Sequence, residues 1–172
     1  MRSSTCDSCT AMEKDQSEAA AWFRKGAEQG HAKAQNNLGF MYSNGRGVEE
    51  DHSEAAAWYR KGAEQGHAKA QNNLGLMYDN GRGVEEDYPE AVAWYRKGAE
   101  QGDAGAKLNL GLMYDNGRGV NQDFGEAMRW YRMSAEQGDV DAEVNLGLMF
   151  WNGLGVKQDL EEALRRFRTA AH

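Results

Sequence analysis

The sequence predicts an all-α chain, built as a right-handed α-solenoid of stacked helix-turn-helix hairpins on a 36-residue repeat. Two observations carry this. Trp22, Trp58, Trp94 and Trp130 stand 36 residues apart, and the block at 15–50 is followed at once by a near copy at 51–86. These two blocks differ only at Gln16/His52, Phe23/Tyr59, Phe40/Leu76 and Ser43/Asp79. A fixed period of this size marks units that stack and bury their apolar faces on one another. A third observation sets the element type: Ala70, Leu74, Met77 and Tyr78 recur at i, i+4, i+7 and i+8, which is one face of a helix.

Taken in order, residues 1–14 (MRSSTCDSCTAMEK) read as a disordered tail. The array proper spans 15–172 as a single solenoid and opens with a half repeat, 15–30, that supplies a lone second-type helix. Four hairpins follow at 31–66, 67–102, 103–138 and 139–172, for about nine helices. Within 67–102, the first-type helix should stop at Asn80-Gly81, where glycine can take the left-handed conformation that satisfies the last carbonyls. Asp87 should cap the second-type helix, with Glu90 three residues on completing an aspartate version of the capping box. The same D-x-x-E stands at Asp15, Asp51, Asp123 and Asp159. Pro89 falls in a first turn, where no amide hydrogen is needed. Gly39, Gly75, Gly111 and Gly147 on the first-type helices, with Gly26, Gly62 and Gly98 on the second, mark expected helix crossings. Each mid-helix glycine costs about 1 kcal/mol against alanine unless close backbone packing recovers it. In the last helix Arg166 replaces the tryptophan beside a retained Phe167, which reads as a solubilising end cap.

Net charge and hydropathy narrow the function classes. A formal charge of −7 and a pI near 5.1 argue against a nucleic-acid surface and against adsorption to anionic membranes. No apolar run approaches the ~20 residues of a membrane span, and no secretory signal is visible. Cytoplasmic localisation is favoured, with the periplasm or secretion following if a signal peptide has been removed. The two cysteines, Cys6 and Cys9, lie in the tail, so the repeats do not depend on oxidation.

The motif A-x-A-x-x-x-L-G-x-M-Y-x-x-G-x-G-V-x-x-D-x-x-x-A-x-x-W-Y-R-K-x-A-E-Q-G, written out at 68–102 and recurring along 15–171, resembles the Sel-one-like repeat (SLR), a relative of the tetratricopeptide repeat. The resemblance implies a scaffold of the kind used in signalling, protein quality control and bacterial envelope or host interaction. Some cysteine-rich relatives are linked to penicillin or peptidoglycan-fragment binding and hydrolysis. This chain lacks their cysteine in each repeat.

Candidate chemistry is sparse. Cys6-x-x-Cys9 offers half a zinc site, but no second CxxC or closely spaced histidine pair completes four ligands. The loops at Asp79–Gly83 and Asp115–Gly119 lack the alternating oxygens of a calcium loop. Glu49-Glu50 and Glu85-Glu86 read as solvated loop charge, without two differently tuned carboxylates for acid–base work. The tryptophan ladder reads as inter-repeat core. The chain is therefore expected to be a non-catalytic protein, without metal or cofactor.

A binding surface is expected on the first-type helices, which line the concave groove in tetratricopeptide-like arrays. Helical spacing from the buried leucine turns three ladders outward: Asn36, Asn72, Leu108, Val144; Phe40, Leu76, Leu112, Leu148; and Ser43, Asp79, Asp115, Trp151. The N-terminal part is amide-rich, suiting capture of a peptide backbone, and the C-terminal part is apolar. Trp151 breaks the repeat and is the leading specificity residue. The expected partner is a protein or extended peptide, with a monomer favoured. The alternatives are a small-molecule or peptidoglycan-fragment role and a purely structural array.

Overall fold

A computed structural model describes residues 7–171. Among these residues there are nine helices and no strand: α1 (Asp7–Glu28), α2 (Ala32–Ser43), α3 (His52–Glu64), α4 (Ala68–Asn80), α5 (Tyr88–Glu100), α6 (Ala104–Asn116), α7 (Phe124–Ala135), α8 (Val140–Asn152) and α9 (Leu160–Ala170). The protein is an all-α repeat chain.

The helices group into two compact units, Met1–Glu86 and Asp87–His172. The division falls inside the 67–102 hairpin. In the first unit α1 packs on α2, α2 on α3, and α3 on α4, with a smaller contact between α2 and α4. In the second unit α5 packs on α6, and the chain continues through α6–α7, α7–α8 and α8–α9.

The N-terminus departs from the expected boundary. α1 begins at Asp7, so residues 7–14 are helical and Asp15 lies inside a continuous helix instead of capping one. The run Ala11-Met12-Glu13-Lys14 consists of good helix formers and contains no stop signal. Residues 1–6, the rest of the expected tail, lie outside the described residues.

The other caps follow the motif with one correction. The side chains of Asp51, Asp87, Asp123 and Asp159 accept from the amide three residues on, at 2.9–3.0 Å. The reciprocal half of the capping box is not made. The amides of Asp51, Asp123 and Asp159 instead donate to the carbonyls of Tyr42, Tyr114 and Phe150 in the preceding helix. This frees the glutamate: Glu126 pairs with Arg129, and Glu162 with Arg165 and Arg166. Glu90 accepts from the Trp94 indole at 2.9 Å. At the other end, Gly81, Gly117 and Gly153 close α4, α6 and α8 in the left-handed conformation. The hairpin at 31–66 closes differently, through Asn44, with Gly45 left-handed one residue later.

The crossing glycines are tight. A Cβ on Gly111 would sit 2.6 Å from the Tyr131 ring, and on Gly62 it would sit 3.1 Å from both Ala32 O and Ala70 Cβ. At the position equivalent to Gly62 and Gly98 one period on, Ser134 is fully buried and donates to the Ala104 carbonyl at 2.8 Å. Leu38, Leu74, Leu110 and Leu146 are wholly buried, each contributing about 1.5–3 kcal/mol. Successive repeats are also tied by polar reach. Arg24 donates to Tyr42 at 2.5 Å, Arg96 to Tyr114 at 2.7 Å, and Arg60 to Tyr78.

Candidate functional site

In the Met1–Glu86 unit, α2 and α4 bring Phe40 and Leu76 into one cleft of about 220 Å³. Ser43, Tyr59, Asn73, Asn80 and Arg82 are among the other residues that line it. Asn72 and Asp79 are half-buried on α4. Asn36 is not the outward residue that spacing suggests. It is buried, and its carbonyl oxygen accepts from Asn73 Nδ2 at 3.0 Å. Its flank of α2 is covered because α2 touches α4 directly. The groove's expected amide character at this point is therefore spent on holding two helices together. Asn73 and Arg82 were not legible as site residues from the ladders. The available signal was Asn37, Asn73, Asn109 and Asn145, identical in all four hairpins one position before the buried leucine.

In the Asp87–His172 unit, Leu108 and Leu112 are half-buried and pack against the core of α7 and α8. Val144 is half-buried on α8. Leu148 and Trp151 are exposed, each at 45%. They stand three residues apart on α8 and so share one face. Asp115 is engaged internally: its Oδ2 accepts from the Tyr131 hydroxyl at 3.1 Å. Burial first, and then the Asp115 charge, push the Tyr131 hydroxyl well above the usual tyrosine range. Tyr59 is pushed up to about 12 by burial, with the Ser43 hydroxyl opposing. Ser43 and Asp115 of the third ladder are thus the partners of the buried Tyr59 and Tyr131 rings on the second-type helices. Trp151 fits this rule, because the ring sixteen residues on is Phe167, which has no hydroxyl to satisfy. An acidic acceptor at 151 would have no donor.

Two other expectations need correction. Arg166 does not point freely to solvent. It pairs with Glu143 at 3.1 Å and with Glu162 at 2.8 Å, with its side chain only 22% exposed. The Arg165 guanidinium, followed by that of Arg166, holds the Glu162 carboxyl down at about 2. The tryptophan ladder is core at Trp94 and Trp130, half-buried at Trp58 and 64% exposed at Trp22. Trp22 sits on the first described helix, where fewer neighbours cover it. Cys6 lies outside the described residues, and Cys9 lies within α1. Among the described residues no group of three or more His, Cys, Asp or Glu could hold a metal ion, and no helix is long and apolar enough to cross a membrane. Among the described residues the perturbed groups are two buried phenols and the ion-paired Glu162 and Arg165, and each perturbation has a structural cause.

Comparison with known proteins places this arrangement. The Sel1 repeat model matches at 10–31, 32–67, 68–103, 104–139 and 140–172, within one residue of the hairpin boundaries read from the period. The chain belongs to the Sel1 repeat family, whose fold is generally a non-catalytic scaffold. A Sel1 repeat protein from Oxalobacter formigenes is similar at 42% identity and TM-score 0.86, over 90% of this chain and 62% of that one. The c5321 protein, a protective antigen present in uropathogenic Escherichia coli that displays an SLR fold, is similar at 42% identity and TM-score 0.84. That match covers 88% of this chain and 32% of the antigen, so this chain spans about a third of the antigen's length. Helicobacter pylori cysteine rich protein B shares the fold at 24% identity and TM-score 0.60, over 76% of this chain and 93% of that one. A comparison with curated proteins finds no match.

Proposed function

We propose that the chain is a non-catalytic adaptor that holds an extended peptide or a protein segment on its first-type helices, anchored by Leu148 and Trp151 on α8. The observation that carries this is the exposure of two large apolar side chains on one helical face, one of them breaking an otherwise regular row. A tryptophan at a surface anchor contributes far more than its neighbours when a partner desolvates it. The half-buried Leu112 and Leu108 on α6 extend the apolar strip. The cleft holding Phe40 and Leu76 offers a separate contact with amide and guanidinium groups at its rim.

Selection from a displayed peptide library tests this reading. Peptides enriched on the wild-type chain should carry an apolar anchor. Trp151→Ala and Leu148→Ala should each weaken them by about tenfold or more with unchanged far-UV circular dichroism. Undiminished binding by both variants would remove the anchor assignment. Nitrocefin turnover by the purified chain would remove the non-catalytic half.

A further inference from the structure

Inside the Met1–Glu86 unit, the cleft between α2 and α4 contains one cation that the repeat leaves unused. Arg46, Arg82 and Arg118 hold the same place in successive periods, each directly after a left-handed glycine. The Arg46 guanidinium lies over the Phe40 ring, 5.1 Å from its centre, and that of Arg118 lies over Tyr88 at 4.3 Å. Among the described residues Arg82 has neither an aromatic ring nor a carboxylate as partner. Leu76 stands six residues before it where Phe40 precedes Arg46, and His52 stands thirty before it where Tyr88 precedes Arg118. In a chain of net charge −7, an unpaired guanidinium on a cleft wall is a local exception, and a carboxylate taken by both of its prongs is its best partner. The cleft's asparagines present oxygen instead. The Asn44 and Asn80 side chains donate to the Phe40 and Leu76 carbonyls, both at 2.8 Å. A backbone carbonyl only accepts, so each amide turns its nitrogen to the helix and leaves Oδ1 as an acceptor. The Asn73 nitrogen is likewise engaged, with Asn36 at 3.0 Å.

We propose that this cleft holds an internal segment of a partner polypeptide in which an apolar residue adjoins a glutamate or aspartate. The apolar side chain enters against Phe40, 42% exposed, and the half-buried Leu76. Backbone N–H groups of the segment meet the asparagine oxygens, and its side-chain carboxylate takes the exposed Arg82. A terminal carboxylate fits less well, because it would set its own oxygens against those acceptors. The volume of about 220 Å³ lies below the roughly 300–1,000 Å³ of pockets that enclose a small ligand, and it suits one side chain. This assignment rests on the adaptor reading above and adds a chemical rule to it: the cleft selects an acid beside an apolar residue.

The probe is an array of acetylated, amidated hexapeptides that varies the two central residues between glycine and serine flanks, incubated with the full labelled chain. Spots pairing leucine, methionine or phenylalanine with glutamate or aspartate should stand out, and the same pairs with glutamine or asparagine should not. Fluorescence anisotropy on the brightest peptide should show Arg82→Gln weakening it by about tenfold. Arg82→Lys should fall between the two, because an ammonium keeps the charge and loses the fork. Added sodium chloride should weaken the parent chain and leave the residual binding of Arg82→Gln little changed. Arg118→Gln, at the same place in the period, should bind like the parent. Arg82 is exposed, so its replacement should leave far-UV circular dichroism unchanged. No preference for an acid, equal binding by Arg82→Gln, or no binding at all would overturn the proposal. So would binding confined to a second array with free terminal carboxylates, which would assign the cleft to a chain end. Loss on Trp151→Ala with none on Arg82→Gln would sink this cleft and leave the α8 anchor standing, and the library selection above tests that anchor separately.

Discussion

The pairing of Tyr131 with Asp115 shows how one hydroxyl dictates a residue sixteen positions away. The phenol is wholly buried, so removing its acceptor strands a polar group at a cost of about 1–3 kcal/mol. Phe167, which has no such group, stands sixteen residues after Trp151. A double-mutant cycle tests the coupling. Asp115→Trp alone should destabilise, Tyr131→Phe alone should destabilise less, and the double variant should recover about 1 kcal/mol relative to their sum. Urea denaturation followed by circular dichroism measures it, and simple additivity would refute the coupling. Trp151 therefore has the outward face that helical spacing predicts and also a structural permission that periodicity alone could not reveal.

At the scale of the element, glycine decides how close two helices come. Gly111 lies inside α6, where alanine would raise helix propensity by about 1 kcal/mol. The 2.6 Å approach to Tyr131 reverses the sign, since the buried ring has little room to retreat. Gly111→Ala should lower stability by about 1–3 kcal/mol, read as a lower urea midpoint. A rise in the midpoint would show that the hairpin tolerates a wider crossing. Helix types, ends and crossings were legible because glycine, aspartate and leucine recur with their physical roles intact. The fate of the capping glutamates was not legible. It depends on which carbonyl the aspartate amide meets, and that is a contact between helices. The same limit applies to Asn36: spacing along one helix cannot tell an outward side chain from one covered by the helix two elements later.

Over the whole molecule, acid resistance depends on how the last hairpin is tied. Glu162 is held near 2 in the folded chain, against about 4.5 when unfolded. A carboxyl whose pKa is depressed by folding stabilises the folded state above its unfolded value and loses that contribution as pH falls towards 2. Glu162→Gln should flatten the pH dependence of the thermal midpoint between about pH 4.5 and 2, relative to the parent. Parallel curves for the two proteins would show that the Arg165–Glu162–Arg166 cluster adds nothing to stability. The repeat architecture was legible throughout because each period restates it.

Arg24 reaches Tyr42, Arg60 reaches Tyr78 and Arg96 reaches Tyr114, each across eighteen residues and never farther than the next helix. Every tie of this kind is shorter than one period. Recombination between the near-identical stretches 15–50 and 51–86 would add or remove a full period and leave each arginine with a tyrosine. Length is thus an inheritable variable that such a chain can change in whole steps without breaking any of these ties.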